Sequence, residues 1–457
     1  MAESSTRRIR HIKKDRISNM ARNIKETILV FLPIQDAVRT SILSKEWRHC
    51  WTMIPNLNFD DDFVCRMIVK FDKYDDTELW AHKFVTVINK VLLRHNGAIL
   101  KFSLVFPAKD YCNTQIIHEY IDLWIPLFSR KGIKQLTLDE SSDLDDFRAH
   151  DLSSLDLTHL TLLSVLFPYT PAFGRFTCLK NLELADATSH FGKNILHCPV
   201  LEKLTLIICK GLFPNNFRAP NLRCLIHISR EITSKYSLAG LENLTECSIM
   251  LSRYPIMQTN TSNVVKVLGG VHKIKRFSIA MYFFKFLAAG GPPKILSEPL
   301  SYLETLNIDM NFRDLSEVSC LLCLIRSAPN LSKLHIKAYK DEEVESDEEN
   351  LKSYCLDDSE DCHIDHLELV TIDKFRGLRT ELELVRFLLG HSPFLKTMSI
   401  SRSRYIKRYK ELIIADKMLQ YSRASSKAEI RIRRLDYSAA YEEFDRDLWK
   451  DYDINDH

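Results

Sequence analysis

The sequence lacks a long apolar run. No uninterrupted hydrophobic stretch approaches the ~18–20 residues that a membrane-spanning helix requires, and the first residues are charged and polar, unlike the apolar core of a signal peptide. The twelve cysteines are scattered singly apart from Cys320 and Cys323, a distribution typical of a reduced compartment rather than of a disulfide framework. We therefore expect a protein of the cytoplasm, the nucleus or both that binds no membrane.

The sequence also lacks an excess of charge of one sign. Its 63 basic and 60 acidic residues leave a net charge of +3, whereas a nucleic-acid-binding domain usually carries a strongly basic face. We therefore expect no nucleic acid among the partners. Charge of one sign is only local. The basic tail 1–14 and the stretch 402–410 are either nuclear-import signals or solubilising flanks. The acidic run 341–349 is a solvated loop, a dock for a basic partner or a site of phosphorylation at Ser346.

Catalytic motifs are missing as well. The sequence contains no GxSxG, GxxxxGK[ST] or HExxH motif, since His118-Glu119 has no second histidine at the required spacing. Cys320 and Cys323 have zinc-compatible spacing, and Cys355, Cys362, His363 and His366 follow downstream. The two cysteines lie in the apolar stretch SCLLCLI, where small side chains fill a buried helix face. We predict no catalytic residue, no metal and no cofactor.

What the sequence does contain begins at residues 15–51. The apolar residues Ile24, Ile28, Phe31 and Leu32 recur with helical spacing, and Pro33 then ends that helix. A second helix is predicted around Ala37, Val38, Ser41 and Ile42. Ser44 is placed to cap a third helix, in which Trp47 and Trp51 lie one turn apart.

This segment resembles the plant F-box. The matching stretches are DRIS, FLP, DAVRTS, LSK and WR, at residues 15–18, 31–33, 36–41, 43–45 and 47–48. The resemblance implies that residues 15–60 dock onto a Skp-type adaptor of a cullin–RING ubiquitin ligase. The implied contact is an apolar surface, and Trp47 in it is either a binding hot spot or the residue that holds the helices together. Its members are Ile24, Leu29, Leu32, Pro33, Val38, Leu43 and Trp47.

The segment departs from the F-box pattern before its first helix. Met20-Ala21 stands where the family has Leu-Pro, and Glu46 and Cys50 stand where it usually has Arg and Leu. Proline is pre-organised for a helix start and loses no needed hydrogen bond there. We therefore predict weaker adaptor binding than is usual for the family.

An internal repeat fills most of the remaining chain. The phrase apolar-x-x-apolar-x-apolar starts at Leu157, Leu179, Leu201, Leu222 and Leu244, so that successive copies begin 22, 22, 21 and 22 residues apart. Further copies start at Ile99, Ile133, Ile274, Leu303, Leu331, Ile364 and Leu395. This period resembles the leucine-rich repeat, in which each phrase forms a short strand pairing in parallel with the next. One repeat cannot bury its apolar face, so stability depends on stacked neighbours.

The residues between the leucines are mostly polar, as in half-buried strands with one polar face. In a solenoid that face is the concave surface, which we expect to bind a target protein. Cys224 and Ile226 alone break the polarity, and His227 replaces an aliphatic residue in the same strand. Ile226 is either an apolar anchor for the partner or part of a degenerate repeat that packs locally. The target-binding candidates are Asn181, Glu183, Lys203, Thr205, Ile226, Arg276, Lys333 and His335.

Two further segments complete the organisation. Helical stripes through Phe84, Ile88 and Leu92 and through Ile117, Ile121, Trp124 and Phe128 predict two long helices that join the F-box to the array. Residues 362–400 and 419–432 resemble the FBD module of plant F-box proteins, with a Phe-x-Gly turn at 375–377 and a helix carrying Glu383, Val385, Phe387 and Leu388. The predicted domains are a tail (1–14), the F-box (15–60), the repeat array (61–360), the FBD (361–435) and a second tail (436–457).

Together these patterns predict an α/β fold. It consists of an N-terminal three-helix F-box, a leucine-rich-repeat solenoid with parallel strands on its concave face, and an FBD strand–helix–strand unit. The resemblance implies a non-catalytic substrate-recognition subunit of a Skp–cullin–F-box ligase that binds an unknown target. Two alternatives remain: an interaction scaffold whose degenerate F-box recruits no ligase, and a receptor gated by a small molecule. An adaptor pull-down would separate the first alternative from the ligase hypothesis.

Overall fold

The structure is a computed structural model of the 457-residue chain. It describes residues 17, 20–71, 76–108, 110–140, 152–164, 166–167, 176–189, 196–233, 236–253, 262–339, 364–403 and 408–434. The basic tail 1–14, the acidic run 341–349, the tail 436–457 and the residues Cys355, Cys362 and His363 lie outside these ranges. The chain divides into two compact units, residues 1–173 and 174–457.

The first unit combines five helices and five strands among its described residues. The helices are α1 (Arg22–Val30), α2 (Ile34–Arg39), α3 (Asp61–Phe71), α4 (Thr77–Arg94) and α5 (Thr114–Lys131). The strands are β1 (Asn56–Phe59), β2 (Lys101–Val105), β3 (Gln135–Asp139), β4 (His159–Leu163) and β5 (Leu166–Phe167), and short 3-10 helices lie at Thr40–Ile42, Cys50–Met53 and Leu152–Ser154. Strands β1 to β4 pair in parallel in chain order.

The two long helices are confirmed, with caps that the sequence supplies. The Asp76 carboxylate accepts hydrogen bonds from the backbone N–H groups of Glu78 and Leu79 at the start of α4. Asn113 caps α5 in the same way, and Gly132 ends that helix in the left-handed conformation at φ 76°. The predicted stripe of α5, including Ile117 and Phe128, is buried. Rings from strands and helices meet in this core, where Phe102 and Phe128 have centroids 4.7 Å apart.

Two expectations about residues 44–59 need correction. The predicted third F-box helix is not an α-helix: residues 45–49 form turns, and a 3-10 helix follows at Cys50–Met53. Trp47, Trp51 and Ile54 are nevertheless buried, so tertiary packing fixes this segment without a regular helix. Strand β1 was not predicted. Its signal was another copy of the repeat phrase, Ile54-x-x-Leu57-x-Phe59, and all three side chains are buried.

The second unit contains the longer part of the array. Its strands are β6 (Asn181–Ala185), β7 (Thr188–Ser189), β8 (Leu196–His197), β9 (Lys203–Ile207), β10 (Phe217–Arg218), β11 (Cys224–Ser229), β12 (Glu246–Leu251), β13 (Arg276–Met281), β14 (Thr305–Met310), β15 (Lys333–Ala338), β16 (Leu369–Phe375), β17 (Thr397–Arg402) and β18 (Glu429–Arg434). Its helices are α6 (Asn263–Leu268), α7 (Tyr282–Ala288), α8 (Leu315–Arg326), α9 (Arg379–His391) and α10 (Arg408–Leu419), with a 3-10 helix at Pro214–Asn216.

Ten of these strands form one parallel ladder in the order β6-β9-β11-β12-β13-β14-β15-β16-β17-β18. The repeat phrase fixes the register, because equivalent leucines lie beside each other, as Leu182, Leu204 and Leu225 do on β6, β9 and β11. The predicted leucine-rich repeats are therefore confirmed as stacked parallel strands. Repeat length decides which element comes after each strand. The copies of 21–22 residues carry short strands and a 3-10 helix, whereas the longer copies after Leu244 have room for helices α6 to α9.

One repeat phrase was placed in the wrong register. The sequence pattern at Ile364-Leu367-Leu369 puts Leu369 inside, but β16 pairs Leu369 with Lys333 and Val370 with Leu334. The buried phrase is thus Leu367-Val370-Ile372. Both registers satisfy the pattern because this stretch has apolar residues at every candidate position. Pairing with the neighbouring strands, rather than local sequence, decides between them.

The FBD segment continues the ladder through β16, β17 and β18. Gly377 of the predicted Phe-x-Gly turn has φ 74°, a conformation that glycine adopts without strain, and a Cβ there would force the Ile414 side chain of α10 to shift. The turn is held by Glu381, whose buried carboxylate accepts hydrogen bonds from the N–H groups of Arg376 and Leu378 at 2.9 and 2.8 Å. Thr380 donates a hydrogen bond of 2.7 Å to the carbonyl of Phe312, 68 residues earlier. The FBD helix α9 is thereby joined to the loop that precedes α8.

Candidate protein-binding sites

Helix α1 turns its apolar stripe outward. Leu29 is fully buried, while Ile24 and Ile28 are exposed. Phe31, at the end of the helix, exposes 83% of its surface. Beyond α2, Ile42 and Leu43 are also exposed. We call the exposed set the F-box apolar surface; it consists of Ile24, Ile28, Phe31, Leu32, Ile42 and Leu43. So many exposed large apolar side chains within 20 residues are typical of a protein-binding site.

The predicted adaptor-binding residues divide between surface and core. Ile24, Leu32 and Leu43 belong to the F-box apolar surface, and Pro33 and Val38 are half-buried. Leu29 and Trp47 instead lie in the F-box core with Ala37, Cys50, Trp51 and Ile54. Of the two roles open for Trp47, the structure supports the one that holds the segment together. The Lys25 ammonium lies 5.7 Å from the centroid of the Trp47 ring, close enough for a cation–π contact.

The F-box core continues into α4, the second helix after the F-box. Val91 of α4 packs against the same cluster as Leu29 and Trp47. The buried His95 ring, just after α4, lies with Nε2 at 2.8 Å from the carbonyl oxygen of Ile54. On the surface, Arg66 of α3 donates to the Asp36 carboxylate of α2 at 3.2 Å, and this hydrogen bond is the main cause of the lowered pKa of Asp36. Helices α1 and α2 are thus held directly on α3 and α4.

The first helix starts without a side-chain cap. Ala21 occupies the N-cap position with φ −59° and ψ 146°, and it is exposed. A φ of −59° lies within the range that a proline ring imposes. The backbone at Ala21 therefore has a φ that proline could adopt.

The target-binding candidates differ in exposure. Lys203, Arg276 and Lys333 are exposed, and Asn181, Glu183 and His335 are half-buried. Thr205 and Ile226 are buried, at 3% and 9% exposure, so they are not available as they stand to a partner. Of the two roles open for Ile226, local packing is the one that this burial supports. Arg276 pairs with the Glu246 carboxylate on the neighbouring strand.

The polar face of the ladder, opposite the packed leucines, is closed in the middle. On β9, β11, β12 and β13 the residues between the two inward positions are buried, contrary to the expected alternation; they are Thr205, Ile226, Ser248 and Ser278. On β14 to β17 the equivalent residues are half-buried, and on β18 the residue is exposed; they are Asn307, His335, Thr371, Ser399 and Arg431. The longest accessible stretch of this row is therefore at the C-terminal strands β14 to β18, and Glu183 on β6 is a half-buried residue before the closed part.

His227, which the sequence marked as unusual, is part of the core. Its Nδ1 lies 2.9 Å from the hydroxyl of Tyr236, and the two rings stack with centroids 5.5 Å apart. Burial lowers the pKa of His227 to about 3, so the ring is neutral near pH 7. The polar pair replaces one leucine of the repeat without leaving a charge in the core.

Cys320, Cys323 and His118, whose sequence context raised metal binding or catalysis, are all buried in the structure. Cys320 and Cys323 are buried in α8, and burial raises the pKa of both thiols. His118 is buried with Nε2 at 3.0 Å from Glu140 Oε2, which joins α5 to the residue after β3. Across the ranges that the structure describes, no group of three or more His, Cys, Asp or Glu residues is arranged to hold a metal ion. Nor do those ranges contain a helix long and apolar enough to cross a bilayer.

Comparison with known proteins agrees with these positions. The F-box family model matches residues 17–59, the repeats of the family described as "FBD-associated F-box protein At5g56370, LRR repeats" match 121–336, and the FBD model matches 361–400. The F-box/FBD/LRR-repeat protein At1g13570 of Arabidopsis thaliana is 33% identical over 429 residues, which cover 91% of this chain and 98% of that protein. The chain belongs to the plant F-box/FBD/LRR-repeat protein family. A second Arabidopsis member, At5g56420, is 24% identical over 85% of this chain and 92% of its own length.

Proposed function

We propose that this F-box/FBD/LRR-repeat protein is the substrate-recognition subunit of a Skp–cullin–F-box ubiquitin ligase. The F-box apolar surface binds the Skp-type adaptor, and the repeats bind a target protein in the cytoplasm or the nucleus. Other subunits of the ligase perform ubiquitin transfer, so this chain needs no catalytic residue.

The exposed outward stripe of the F-box supports this proposal most directly. A helix that faces only solvent on one side gains nothing from apolar residues there, and each buried large side chain contributes roughly 1.5–3 kcal/mol when a partner covers it. Phe31, Ile42 and Leu43, each at least 65% exposed, offer the largest area to a partner. Because α1 and α2 are held on α3 and α4, a bound adaptor would be carried in a fixed orientation relative to β1–β4.

The test is co-expression of the full chain with a Skp-type adaptor, followed by an affinity measurement on the purified proteins. We expect Phe31→Asp and Leu43→Asp to weaken adaptor binding at least about tenfold, because each places a charge in an apolar contact. Leu93→Asp is a matched control, since Leu93 on α4 is as exposed as Phe31, at 83%, but lies outside the F-box. It should leave the affinity within about twofold.

Failure would also be informative. If the unaltered chain does not bind the adaptor, the ligase proposal is wrong, and the repeats belong to an interaction scaffold with a degenerate F-box. If Leu93→Asp weakens binding as much as Phe31→Asp, the adaptor does not use the F-box apolar surface.

A further inference from the structure

The accessible C-terminal part of the polar face has an ordered arrangement of charge. On β15, Lys333, His335 and Lys337 point to this face, and on β18, Arg431 and Arg433 do. Lys333, Arg431 and Arg433 are exposed. The two strands between them carry mainly hydroxyl groups on the same face, namely Thr371, Thr397, Ser399 and Ser401. The same face of β16 also carries Leu369 and Asp373. Two cationic rows thus border two strands on which hydroxyl groups predominate.

Carboxylates on the same face only partly offset these cations. Asp373 lies in register with Lys337 on the neighbouring strand, and Glu429 accepts a hydrogen bond from Arg431 at 2.7 Å. That hydrogen bond is the main cause of the lowered pKa of Glu429, so this carboxylate stays charged. Asp309 of β14 also lies in register with Lys337. Over β14–β18 the face carries four Lys or Arg side chains against three carboxylates, and this excess of positive charge favours an anionic partner.

The spacing of the rows limits the shape of that partner. β15 and β18 are three strand intervals apart, which is about 14 Å at ~4.8 Å per interval. An extended peptide advances about 3.4 Å per residue, so about four residues cover that distance. Two carboxylates at positions i and i+4 would reach the two rows together. The peptide backbone between them would lie over the Thr and Ser hydroxyls of β16 and β17.

We propose that the polar face of β15–β18 binds an extended acidic segment of the target protein, whose paired Asp or Glu residues are four positions apart. This deepens the proposed function, on which it rests, by naming the chemistry of the target. It also assigns a role to the FBD, because β16 and most of β17 lie within residues 361–400, which the FBD model matches.

The probe is a set of fluorescent peptides of about 12 residues in a Ser/Gly background, measured by anisotropy with the full chain at about 50 and 300 mM salt. One peptide carries two Glu residues at i and i+4, a second carries them at i and i+1, and a third has Gln in place of both. We expect the i, i+4 peptide to bind at least about fivefold more tightly than either of the others, and higher salt to weaken it.

Variants then locate the contact. Lys333→Glu and the double variant Arg431→Glu/Arg433→Glu should each weaken binding of the i, i+4 peptide about tenfold. Lys101→Glu is the matched control: Lys101 is also an exposed cation at the first position of its strand, but it lies on β2 of the first unit and is not among the target-binding candidates. It changes the net charge by the same amount as Lys333→Glu and should alter binding less than about twofold.

Two results would overturn this inference. Equal affinity for the Glu and Gln peptides would show that the face does not select carboxylates. An effect of Lys101→Glu as large as that of Lys333→Glu would show that the peptide responds only to the overall charge of the protein. Adaptor affinity, measured on the same variants, separates this proposal from the proposed function, because none of these residues lies in the F-box apolar surface.

Discussion

At the scale of single residues, Ala21 is where this chain departs most clearly from its family, and the structure shows why the departure is reversible. Its φ of −59° already suits proline, and the residue is exposed. We expect Ala21→Pro to stabilise the start of α1 by about 0.4–1 kcal/mol, because it restricts the unfolded chain. Adaptor binding should tighten about two- to fivefold, because the start of α1 is formed in a larger fraction of the molecules before the adaptor binds. Calorimetric titration with the adaptor measures this directly.

The control for that substitution is Thr27→Pro. Thr27 is also exposed but lies in the middle of α1, where proline removes a backbone donor and costs roughly 3 kcal/mol. It should weaken adaptor binding strongly and lower the melting temperature. An adaptor affinity that Ala21→Pro leaves unchanged, or lowers, would show that Met20-Ala21 does not limit the interaction.

Single residues also show what a sequence leaves unresolved. The sequence showed the helical spacing of Ile24, Ile28 and Leu32. It did not show that this stripe faces outward while Leu29 faces the core. Orientation depends on which elements pack against α1, and these come later in the chain. In the same way His227 was visible as an exception in its strand. Its partner Tyr236 was not, because the spacing of nine residues across a loop matches no periodic pattern.

At the scale of elements, two buried glutamates play equivalent parts. Glu317 and Glu381 are each the third residue of a helix, in α8 and α9, and each is fully buried. Glu317 accepts a hydrogen bond of 2.7 Å from the backbone N–H of Asn311, in the loop between β14 and α8. Glu381 does the same for the loop after β16. Each carboxyl therefore fixes the path from a strand to its helix.

This arrangement predicts a pH-dependent stability that a single substitution removes. Burial raises the pKa of Glu317 to about 8 from its ordinary 4.5. The folded chain then keeps a proton that the unfolded chain releases, so the contribution of Glu317 is full below pH 4.5 and is lost as the pH rises through 8. Glu317→Gln keeps an oxygen for the Asn311 N–H but cannot ionise. We expect it to flatten the fall in unfolding free energy between pH 5 and 8 by up to about 1.4 kcal/mol per pH unit.

Urea unfolding at several pH values measures this slope. Glu304→Gln is the control, since Glu304 is exposed and forms only a 3.8 Å ion pair with Lys275. If the Glu317→Gln protein keeps the slope of the unaltered chain, then Glu317 does not hold its proton in the fold. The buried Glu381, with its pKa raised to about 7, would then be the next group to test.

The strands were the best-predicted elements, for a physical reason. Each strand needs two inward apolar side chains separated by one residue, and that requirement is local, so the phrases at Leu201 and Leu331 located β9 and β15. Where apolar residues crowd together, as at residues 364–372, the same rule allows two registers and only pairing with β15 decides. The segment after Ser44 was mispredicted because helical spacing of Trp47 and Trp51 is equally compatible with the turns that the core imposes.

At the scale of the whole molecule, the order F-box, repeats, FBD was readable from three separate sequence patterns. The contacts that connect the repeats to the FBD could not be predicted from these patterns. Thr380 meets Phe312 across 68 residues, and the Arg326 guanidinium of α8 lies 5.9 Å from the centroid of the Phe387 ring of α9. No local pattern connects positions so far apart. These contacts make α8 and α9 neighbours in the second unit although two strands, β15 and β16, lie between them in sequence.

The same contacts predict that the FBD stabilises the repeats that precede it in the chain. In a stacked array each strand is stabilised by its neighbours. A chain ending at residue 339 would leave β15 at an open edge, α8 without Phe387 and the loop before α8 without Thr380. We expect this truncation to lower the unfolding free energy of the second unit by more than about 2 kcal/mol. Amide hydrogen exchange on β14 and β15 should accelerate accordingly.

A chain ending at residue 403 is the matched comparison, because it loses α10 and β18 but keeps β16, α9 and β17. Exchange on β14 should then stay as slow as in the full chain. If β14 and β15 instead exchange as slowly in the chain ending at 339 as in the one ending at 403, the FBD does not stabilise the repeats. Its position beside β15 would then serve only the binding of a partner.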